Sequence, residues 1–377
     1  MRVVDLYAGL GGFSAGAVAA GAEVELVIDN DHVPLKLLAA NIPGVLVKLA
    51  TLGPRGEETD FLPPPAPDLH VHASSPCTEL STARTTATPS DIASGIAMLR
   101  WSLELVLGRG DCSWSLENVS TVQTRALLQE YVDRNPDGVA YATLDAVDFG
   151  AAQTRTRLIA GPPALICALK EMPAARRVSV RDAFSKRGLT VASTHFKNQT
   201  RGRHGGPSTR SCEDQSFTVC ASHALTWCDR DGTSLRVMNS MESAVLMGFP
   251  SGWRLPHGSR VSQRAVGNAL CVEMSKAIMD AAIKVPPRSP PPPSKLATNR
   301  PTDAQPREYN TAGELHRIYK RLRRMERALV SAKQPSVERS EDCDAEFVAD
   351  GGSTAHGTSE LGGRSADQLS ERSLASL

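Results

Sequence analysis

The amino-acid sequence predicts an α/β fold built on a doubly wound, mostly parallel sheet. Short β-prone runs alternate with stretches of helical character from Arg2 to Ala160, and such alternation is typical of parallel sheets with helices on both faces. A glycine cluster follows the first run, where a strand must turn sharply into a helix. Ligands of such sheets bind beyond the carboxyl ends of the strands, so the segments after the strands are the candidates for function.

Each predicted element follows from its local pattern. The β-prone runs predict strands over Arg2–Tyr7, Val24–Ile28, Leu69–Ala73, Ser113–Leu116, Ala140–Ala146 and Arg157–Ala160. The segments between and after them predict helices over Phe13–Ala20, Pro34–Asn41, Asp91–Leu107, Ser120–Asn135 and Cys271–Ile283. The folded body is therefore expected to span residues 1–285.

The composition changes after Val285. Residues 286–306 contain eight prolines and predict an extended linker. In residues 307–333 apolar side chains recur at helical spacing between Arg and Lys, which predicts one basic amphipathic helix. Such a helix is compatible with nucleic-acid contact, with a partner helix or with a solvated surface. Residues 334–377 are rich in Ser, Gly and acidic side chains and are expected to be disordered.

The formal net charge of the 377 residues is only +1, but the charge is unevenly distributed. Residues 176–210 hold nine Lys/Arg and one acidic residue, and residues 307–333 hold eight Lys/Arg and three acidic residues. The last segment, 334–377, holds three Arg and nine acidic residues. Two basic blocks and an acidic tail cancel in the sum, so a net charge near zero does not exclude a nucleic-acid partner.

The eight cysteines are scattered without a C-x-x-C pair, which favours a reduced, intracellular setting. Cys212, Cys220, Cys228 and His223 lack the usual spacing of zinc ligands, so no metal is expected. No apolar run is long enough to cross a membrane, and the first residues lack the pattern of a secretion signal. The expected location is the nucleus in a eukaryote, the cytoplasm or nucleoid in a prokaryote, and the host cell for a virus.

Two motifs follow predicted strands in the first part of the chain. The run DLYAGLGGF, Asp5–Phe13, places glycines at a strand-to-helix turn, where the backbone can approach a ligand closely. The G-x-G-x-x-G spacing of dinucleotide sites fails at Ser14. With Asp29 after the second strand, the run predicts a nucleotide-like cofactor; the alternative is a tight turn packed on the sheet. Pro76-Cys77 lies after the third strand and is either a nucleophile on an accessible loop or an inert packed cysteine.

Three further motifs lie downstream. Glu117-Asn118-Val119 places a carboxylate at a strand end, where it can act as an acid, or where it is simply a charge before a helix. Gln153–Arg157 carries Arg at alternate positions, which predicts two guanidiniums on one face of a strand, suited to phosphate or a carbonyl. The alternative there is a solvated edge strand. Gly267-Asn268-Ala269 is a small-residue turn before a predicted helix.

In their order and spacing these motifs resemble the C5-cytosine methyltransferase family over nearly all of residues 1–285. The family's D-L-F-x-G-x-G-G appears as DLYAGLGG, and its Pro-Cys, E-N-V, Q-x-R-x-R and G-N-A motifs fall on the residues just described. Arg236–Trp253 is similar to the family's R-x-L-T-x-x-E…GFP-x-x-W stretch. The resemblance implies a Rossmann-like methyltransferase domain with a small target-recognition region. The implied divisions are a catalytic domain at 1–175, the target-recognition region at 176–235, a returning segment at 236–285, and the linker, basic helix and acidic tail already described.

The resemblance also implies S-adenosylmethionine as the methyl donor, S-adenosylhomocysteine as the product, and no metal. Phe13 falls where the family places a ring that stacks on the cofactor adenine, and Asp29 falls on the acid for the ribose. The complete set of cofactor residues implied is Asp5, Tyr7, Gly9, Leu10, Gly11, Gly12, Phe13, Asp29, Asn30, Pro76, Asn268 and Ala269. The family's acid for the adenine amine has no clear counterpart among residues 49–52.

For catalysis the resemblance implies that Cys77 adds to C6 of cytosine and that Glu117 acts at N3. Arg157 is expected to hold O2 and Arg155 to support the site. The chemistry explains these residue types, because C5 of cytosine becomes nucleophilic only after a thiolate has added at C6, and charge then develops toward N3. The target base must leave the stack of double-stranded DNA, since C6 cannot be reached within a duplex. A monomer without membrane association is expected.

The implied contacts to nucleic acid are the least specific. They are Ser81, Arg84, Lys197, Arg201, Arg203 and Arg210. Lys and Arg at phosphates give affinity without sequence preference, so the target sequence is not predicted. Near the Pro-Cys motif the chain departs from the family: Thr78 replaces Gln, Leu80 replaces Phe, and Arg84 replaces Gly.

Two alternatives stay open. One is a transfer-RNA cytosine-5 methyltransferase on the same scaffold, which is disfavoured because the Cys-Phe-Thr signature of that branch does not occur. The other is a catalytically silent nucleic-acid-binding relative. It is disfavoured because Cys77, Glu117, Arg157 and Asn268 are retained together.

Overall fold

A seven-stranded sheet forms the centre of the molecule. The computed structural model describes residues 1–56, 59–81, 86–201 and 207–285. The strands are β1 Arg2–Leu6, β2 Glu23–Asp29, β3 Leu46–Leu49, β4 Leu69–Ser74, β5 Ser113–Asn118, β6 Ala140–Asp145 and β7 Thr156–Gly161. Their order in the sheet is β3-β2-β1-β4-β5-β7-β6. Only β7 runs antiparallel to its neighbours, which confirms the predicted class and mostly parallel sheet.

Helices cover both faces of this sheet. They are α1 Gly12–Ala19, α2 His32–Asn41, α3 Pro89–Leu107, α4 Val122–Arg134, α5 Pro163–Glu171, α6 Val180–Ser185, α7 Ser240–Leu246, α8 Ser259–Asn268 and α9 Val272–Lys284. A short 3₁₀ turn, Ala146–Phe149, links β6 to the segment before β7. Alternate side chains of one strand point to opposite faces, so Val3 of β1 packs in the core with α1 and α9, whereas Val4 packs in the core with α3.

The first helix lies unusually close to the last. A side chain on Gly12 would overlap the backbone oxygen of Leu270, and one on Gly16 would overlap Ser275 at the start of α9. Two backbones can approach this closely only where no Cβ intervenes. The glycine-rich motif therefore serves packing as well as the turn, and it brings the end of the folded body back to β1.

A second, four-stranded antiparallel sheet was not predicted. Its strands are β8 His195–Arg201, β9 Pro207–Ser211, β10 Thr226–Cys228 and β11 Ser234–Val237, in the order β11-β10-β8-β9. The rings of Phe184, Phe196 and Trp227 meet edge to face and form its core. The strands are short and polar, so hydrophobic alternation is too weak to reveal them. Most of this sheet lies within the span predicted as the target-recognition region.

The predictions for the linker, the basic helix and the acidic tail fall on residues 286–377, outside the described part of the chain. Among the described residues, no helix combines the length and apolar character needed to cross a bilayer.

Candidate active site and cofactor cleft

The carboxyl ends of four neighbouring strands bring the predicted motifs together. In the sheet order β2-β1-β4-β5, the last residues of these strands or the loops that follow carry Asp29, the glycine loop, Pro76-Cys77 and Glu117-Asn118. Parallel neighbours end at one edge of a sheet, which is where open α/β sheets bind ligands. Motifs that are up to 112 residues apart in the sequence, from Asp5 to Glu117, therefore lie at one edge.

The loop after β1 is held to the end of β2. Tyr7, Gly9 and Gly11 all have positive φ, at 61°, 52° and 83°. The Gly9 N–H donates to Asp29 Oδ2 at 2.8 Å, and the Asp31 N–H donates to Asp29 Oδ1 at the same distance. Burial raises the pKa of the Asp29 carboxyl despite these donors. The carboxylate thus organises the turn, and its contact with a ribose stays a prediction.

Asp5, near the end of β1, is a buried carboxyl with one unsatisfied oxygen. Ser14 Oγ donates to Oδ2 at 2.5 Å, whereas Oδ1 has no hydrogen-bond partner in the described part of the chain. Burial raises the pKa of Asp5 to about 7. A buried polar atom without a partner is costly, and a cationic ligand group at this strand end would satisfy it. The carboxyl groups of Asp5 and Asp29, together with the glycine backbone, are suited to a cofactor that carries an ammonium group and ribose hydroxyls.

The prediction that Phe13 stacks on the adenine is revised. Phe13 is 2% exposed, and its ring lies flat on the His72 imidazole with centroids 3.5 Å apart. The ring points from α1 down onto the sheet rather than into the loop. Tyr7 is the aromatic residue of the loop itself; it is half-buried, and its hydroxyl lies 2.8 Å from Ser102 Oγ.

The Pro-Cys loop is tied to the end of the adjacent strand. Asn118 Nδ2 donates to the backbone oxygen and to Oγ of Ser75, both at 3.1 Å, while Asn118 Oδ1 accepts from the Val119 N–H. These bonds fix the loop two residues before Cys77, which is partly exposed beside the exposed Pro76. A side-chain amide that bridges two loops in this way holds the thiol in place.

Glu117 and Arg157 form an ion pair next to this thiol. Arg157 Nε lies 2.9 Å from Glu117 Oε1, and both side chains are largely buried. Burial and the Glu117 charge raise the pKa of the Cys77 thiol, while the Arg157 and Arg155 guanidiniums oppose the rise. The three side chains are thus electrostatically coupled, and the thiol is predominantly protonated in the free protein.

Arg155 has a different environment from Arg157. It precedes β7 instead of lying within it, and it is 2% exposed. Its guanidinium donates to the backbone oxygens of Val219, Gly267 and Ala269 at 2.8–2.9 Å. The predicted pair of guanidiniums facing a ligand from one strand face is therefore revised: Arg155 joins three chain segments, and Arg157 faces Glu117.

Hydrogen bonds join the remaining motifs to one another and to the glycine loop. Gln153 Nε2 donates to the Leu246 oxygen, and the Val219 N–H donates to Gln153 Oε1. The Trp253 indole N–H donates to the Leu10 oxygen at 3.2 Å, which joins the GFP-x-x-W stretch to the glycine loop. Asn268, at the end of α8, is exposed. The cofactor residues predicted at both ends of the folded body are thereby brought to the same region.

The predicted nucleic-acid contacts have mixed outcomes. Lys197 Nζ donates to the Gly232 oxygen at 2.6 Å, beside a groove of the small sheet. Arg210 donates to the Gln215 and Ser216 oxygens and lies over the Phe217 ring at 4.0 Å, so it is largely engaged within the protein. Ser81 is half-buried at the end of the Pro-Cys loop, and Arg201 ends β8. Arg84 and Arg203 lie outside the described residues.

Sequence reasoning missed two features of the site. It named Asn118 within a motif but gave it no role, although an amide directly after a candidate catalytic acid is a natural tether. It also overlooked the alternation His70-x-His72 in β4 and Ser113-x-Ser115 in β5, which marks a polar stripe in otherwise apolar strands.

Comparisons with known proteins agree with this geometry. Residues 1–162 match the family of C-5 cytosine-specific DNA methylases. The Type II methyltransferase M.HindV of Haemophilus influenzae is 25% identical over 75% of this chain and 96% of its own length. Type II methyltransferase M2.BsuMI of Bacillus subtilis is 26% identical over 74% of each chain.

One solved structure supports the fold alone. A crystal structure described as a DNA modification methyltransferase encoded within an Escherichia coli prophage superposes with a TM-score of 0.51 at 18% identity. The superposition covers 75% of this chain and 98% of the other. The motif order and the match over residues 1–162 make this part of the chain similar to C-5 cytosine-specific DNA methylases.

Proposed function

We propose that this protein methylates C5 of cytosine in DNA through a covalent adduct between Cys77 and C6. The observation that carries the proposal is the arrangement of Cys77, Glu117 and Arg157 at adjoining strand ends, with the Cys77 loop tethered by Asn118. DNA is supported as the substrate class by the family match and by the two Type II methyltransferase relatives.

S-adenosylmethionine, when bound, would supply an electrophilic methyl group on a sulfonium. Asp29 and the Gly9 backbone would hold the ribose end, and Asp5 Oδ1 would gain a partner from the ammonium end. Tyr7 would contribute the aromatic contact in the loop. Asn268 and Ala269 would border the cleft from the returning segment, which Arg155 ties into place.

The catalytic steps assign one role to each of three side chains. The Cys77 thiolate adds to C6, which makes C5 an enamine carbon able to attack the methyl group. Glu117 donates a hydrogen bond or proton at N3, where negative charge develops. Arg157 donates to O2 and keeps the base in the plane that the adduct requires. Loss of the C5 proton to water then expels the thiolate and regenerates Cys77.

In the free protein the surroundings of Cys77 disfavour the thiolate, so Cys77 attacks C6 only after the base is bound. Because burial and Glu117 raise the pKa of Cys77, little thiolate is present before binding. When cytosine binds, the proton of the Cys77 thiol passes to the Glu117 carboxylate, which removes the neighbouring negative charge and leaves the thiolate. The thiolate is thereby generated when a cytosine lies in the site, and the reactive cysteine is protected at other times.

The basic block at 176–210 and the small sheet would contact the phosphates of DNA. Lys197, Arg201 and Arg203 are the candidates there, and Arg84 and Ser81 are candidates next to the Pro-Cys loop. Arg210 is a weaker candidate because its donors are used within the protein.

The experiment is transfer of labelled methyl from S-adenosylmethionine to double-stranded DNA and, separately, to transfer RNA. We expect label at C5 of cytosine in DNA, and we expect Cys77→Ser to abolish it while still binding the cofactor. Label in transfer RNA alone would favour the RNA alternative. Cofactor binding without transfer to either nucleic acid would refute catalysis and favour a silent binding protein.

A further inference from the structure

A buried row of polar side chains runs along the centre of the large sheet beneath α1. We call it the polar ladder; in order it consists of Ser113, His70, Ser115, His72 and Ser74. The first four members alternate between β5 and β4 and are almost completely buried, and Ser74 follows His72 on β4. In the described part of the chain no ring nitrogen of the two histidines is bonded to a carboxylate, because each one bonds to a serine hydroxyl.

The polar ladder is continuous. Its four successive hydrogen bonds measure 2.9, 2.8, 2.7 and 2.8 Å from Ser113 to Ser74. Burial lowers the pKa of His70 to about 3 and lowers the pKa of His72 well below its usual value. Both imidazoles are therefore neutral near pH 7, with one ring nitrogen donating and the other accepting.

The number of hydrogens on these groups makes all hydrogen bonds of the polar ladder point in one common direction. The Ser115 hydroxyl bonds to both imidazoles but has only one hydrogen. If both rings donated to it, that hydrogen would be buried without an acceptor, at a cost of about 1–3 kcal/mol. One ring must therefore donate to Ser115 and the other accept from it, so all hydrogens point the same way along the ladder. Two directions are possible, and reversal switches the tautomers of both histidines together.

The strand register places one end of the polar ladder beside the proposed acid, although no hydrogen bond joins Ser74 to Glu117 in the described part of the chain. In the β4–β5 register Ser74 is paired with Glu117, just as His72 is paired with Ser115. Paired residues of adjacent strands project on the same face as cross-strand neighbours. The other end, Ser113, is 8% exposed.

Several charged or titratable groups lie around Glu117 and His72. Glu117 is faced by Arg157, at 2.9 Å, and experiences the charges of Cys77 and Arg155. His72 is covered by the Phe13 ring, and Asp5 of β1 is its partner in the register on the other side. Phe13 thus seals the ladder from the cofactor loop, which accounts for its burial.

We propose that the polar ladder is a proton relay for Glu117, with Ser74 and His72 as positioning residues; this rests on the proposed role of Glu117 at N3. When Glu117 carries a proton, it donates to Ser74 and the hydrogens point toward Ser113. When the proton leaves, it passes to Ser74, and each hydrogen of the ladder moves to the next member. One proton is released from Ser113 to water, and Glu117 remains as a carboxylate that accepts from Ser74. The reverse sequence reloads Glu117 while substrate covers the site.

The first test does not depend on activity. Nitrogen-15 NMR of the histidine rings in the full chain, assigned with His70→Gln and His72→Gln, reports the tautomers and charge of the two imidazoles. We expect both rings to be neutral from about pH 5 to pH 8 and to share one tautomer. Opposite tautomers, or a charged ring in that range, would overturn the relay. Exposed His257, which lies on neither strand, serves as the reference ring for the spectra.

The second test uses a matched pair of variants at the end of the relay. Ser74→Ala removes the hydroxyl, whereas Ser74→Thr retains it on a residue suited to strands. We expect Ser74→Ala to lower kcat by about 10- to 100-fold, with KM for S-adenosylmethionine unchanged and the acid limb of the kcat–pH profile shifted. Ser74→Thr should restore both. A Ser74→Ala protein with wild-type kcat and pH profile would refute the relay.

The two tests separate the relay from the proposed function. If the unmodified protein transfers no methyl group to DNA, the proposed function fails, and the tautomers still decide whether the polar ladder is directional. If methyl transfer occurs but the tautomers are opposite, only the relay fails.

Discussion

Arg155 and Arg157 are two positions apart and have separate tasks. Arg155 is buried and its two terminal nitrogens donate to three backbone oxygens, whereas Arg157 pairs with Glu117 beside the thiol. Sequence alone assigns both to the site, because the motif records spacing and not which carbonyls a guanidinium reaches. The same limit explains Phe13, whose position in the motif was known but whose ring orientation depends on α1 packing against β4.

The first prediction separates these two arginines. Arg155→Lys should lower the free energy of unfolding by about 2–4 kcal/mol, because a single ammonium cannot satisfy three buried oxygens. Arg157→Lys should retain stability but lower kcat roughly 100-fold, because Lys lacks the planar fork for O2 and Glu117. Chemical denaturation and single-turnover methylation measure the two effects. Equal loss of stability in both variants would contradict this division of roles.

The second prediction concerns the reactivity of Cys77. Its thiol pKa is raised by burial and Glu117 and lowered by Arg157. Each unit of pKa changes the thiolate fraction about tenfold at neutral pH. Alkylation of Cys77 by iodoacetamide should therefore be slow at pH 7 and accelerate with rising pH. Glu117→Gln should speed alkylation by lowering the pKa, and Arg157→Met should slow it.

The rate is followed by mass spectrometry of the peptide that contains Cys77. Exposed Cys167, whose pKa is raised by Glu171, is the internal control because neither variant alters its surroundings. Slower alkylation of Cys77 in Glu117→Gln would show that the sign of the coupling is wrong.

Among the secondary-structure elements, most strands of the large sheet were predictable, whereas β3 and the small sheet were not. All six predicted strands of the large sheet occur within a few residues of their expected bounds. The missed strand β3 has Leu46, Val47 and Leu49 exposed, so it lacks the alternation that a buried face imposes. The small sheet was missed because its strands are short, and the segment between β9 and β10 is held by distant residues: Arg155 donates to the Val219 oxygen, and the Val219 N–H donates to Gln153 Oε1.

The contact between α8 and the Cys220 segment gives the third prediction. Gly267 lies so close to the Cys220–Ala221 backbone that a Cβ would overlap it. Gly267→Ala should destabilise the fold by about 1–3 kcal/mol and weaken DNA binding, since it displaces the segment leading to β10. Val261→Ala, at an exposed site on the same helix, should change stability by less than about 0.5 kcal/mol. Thermal unfolding and DNA titration provide the measurements, and a fully stable Gly267→Ala protein would disprove this tight approach.

In the whole molecule, positive and negative side chains are balanced in each large part of the sequence, and the excess charges lie in shorter segments. Residues 1–285 contain 28 Lys/Arg and 28 acidic residues, and residues 286–377 contain 14 and 13. All the residues assigned to cofactor and catalysis fall in the first part. Net charge is consequently a poor guide to the partner. The charge of the separate segments indicates basic blocks that attract DNA and an acidic segment that competes with DNA for them.

The fourth prediction is that residues 286–377 are dispensable for methyl transfer. A chain ending at Val285 should keep kcat within about threefold of the full chain, because Cys77, Glu117, Arg157 and the cofactor residues all precede that point. Single-turnover methylation compares the two chains. Loss of transfer by a truncated chain that still binds S-adenosylmethionine would show that the C-terminal segment takes part in catalysis.

The fifth prediction concerns the acidic segment 334–377, which holds nine acidic residues against three Arg. If it competes with DNA for the basic blocks, its removal should tighten DNA binding on the order of fivefold at low salt. The gain should shrink as salt screens both interactions. A full-length variant with the nine acids changed to Asn or Gln keeps the length and removes the charge, so it should bind DNA as tightly as the truncated chain. Tighter binding by the truncated chain alone would assign the effect to excluded volume and not to charge, and unchanged affinity in both would remove the competition altogether.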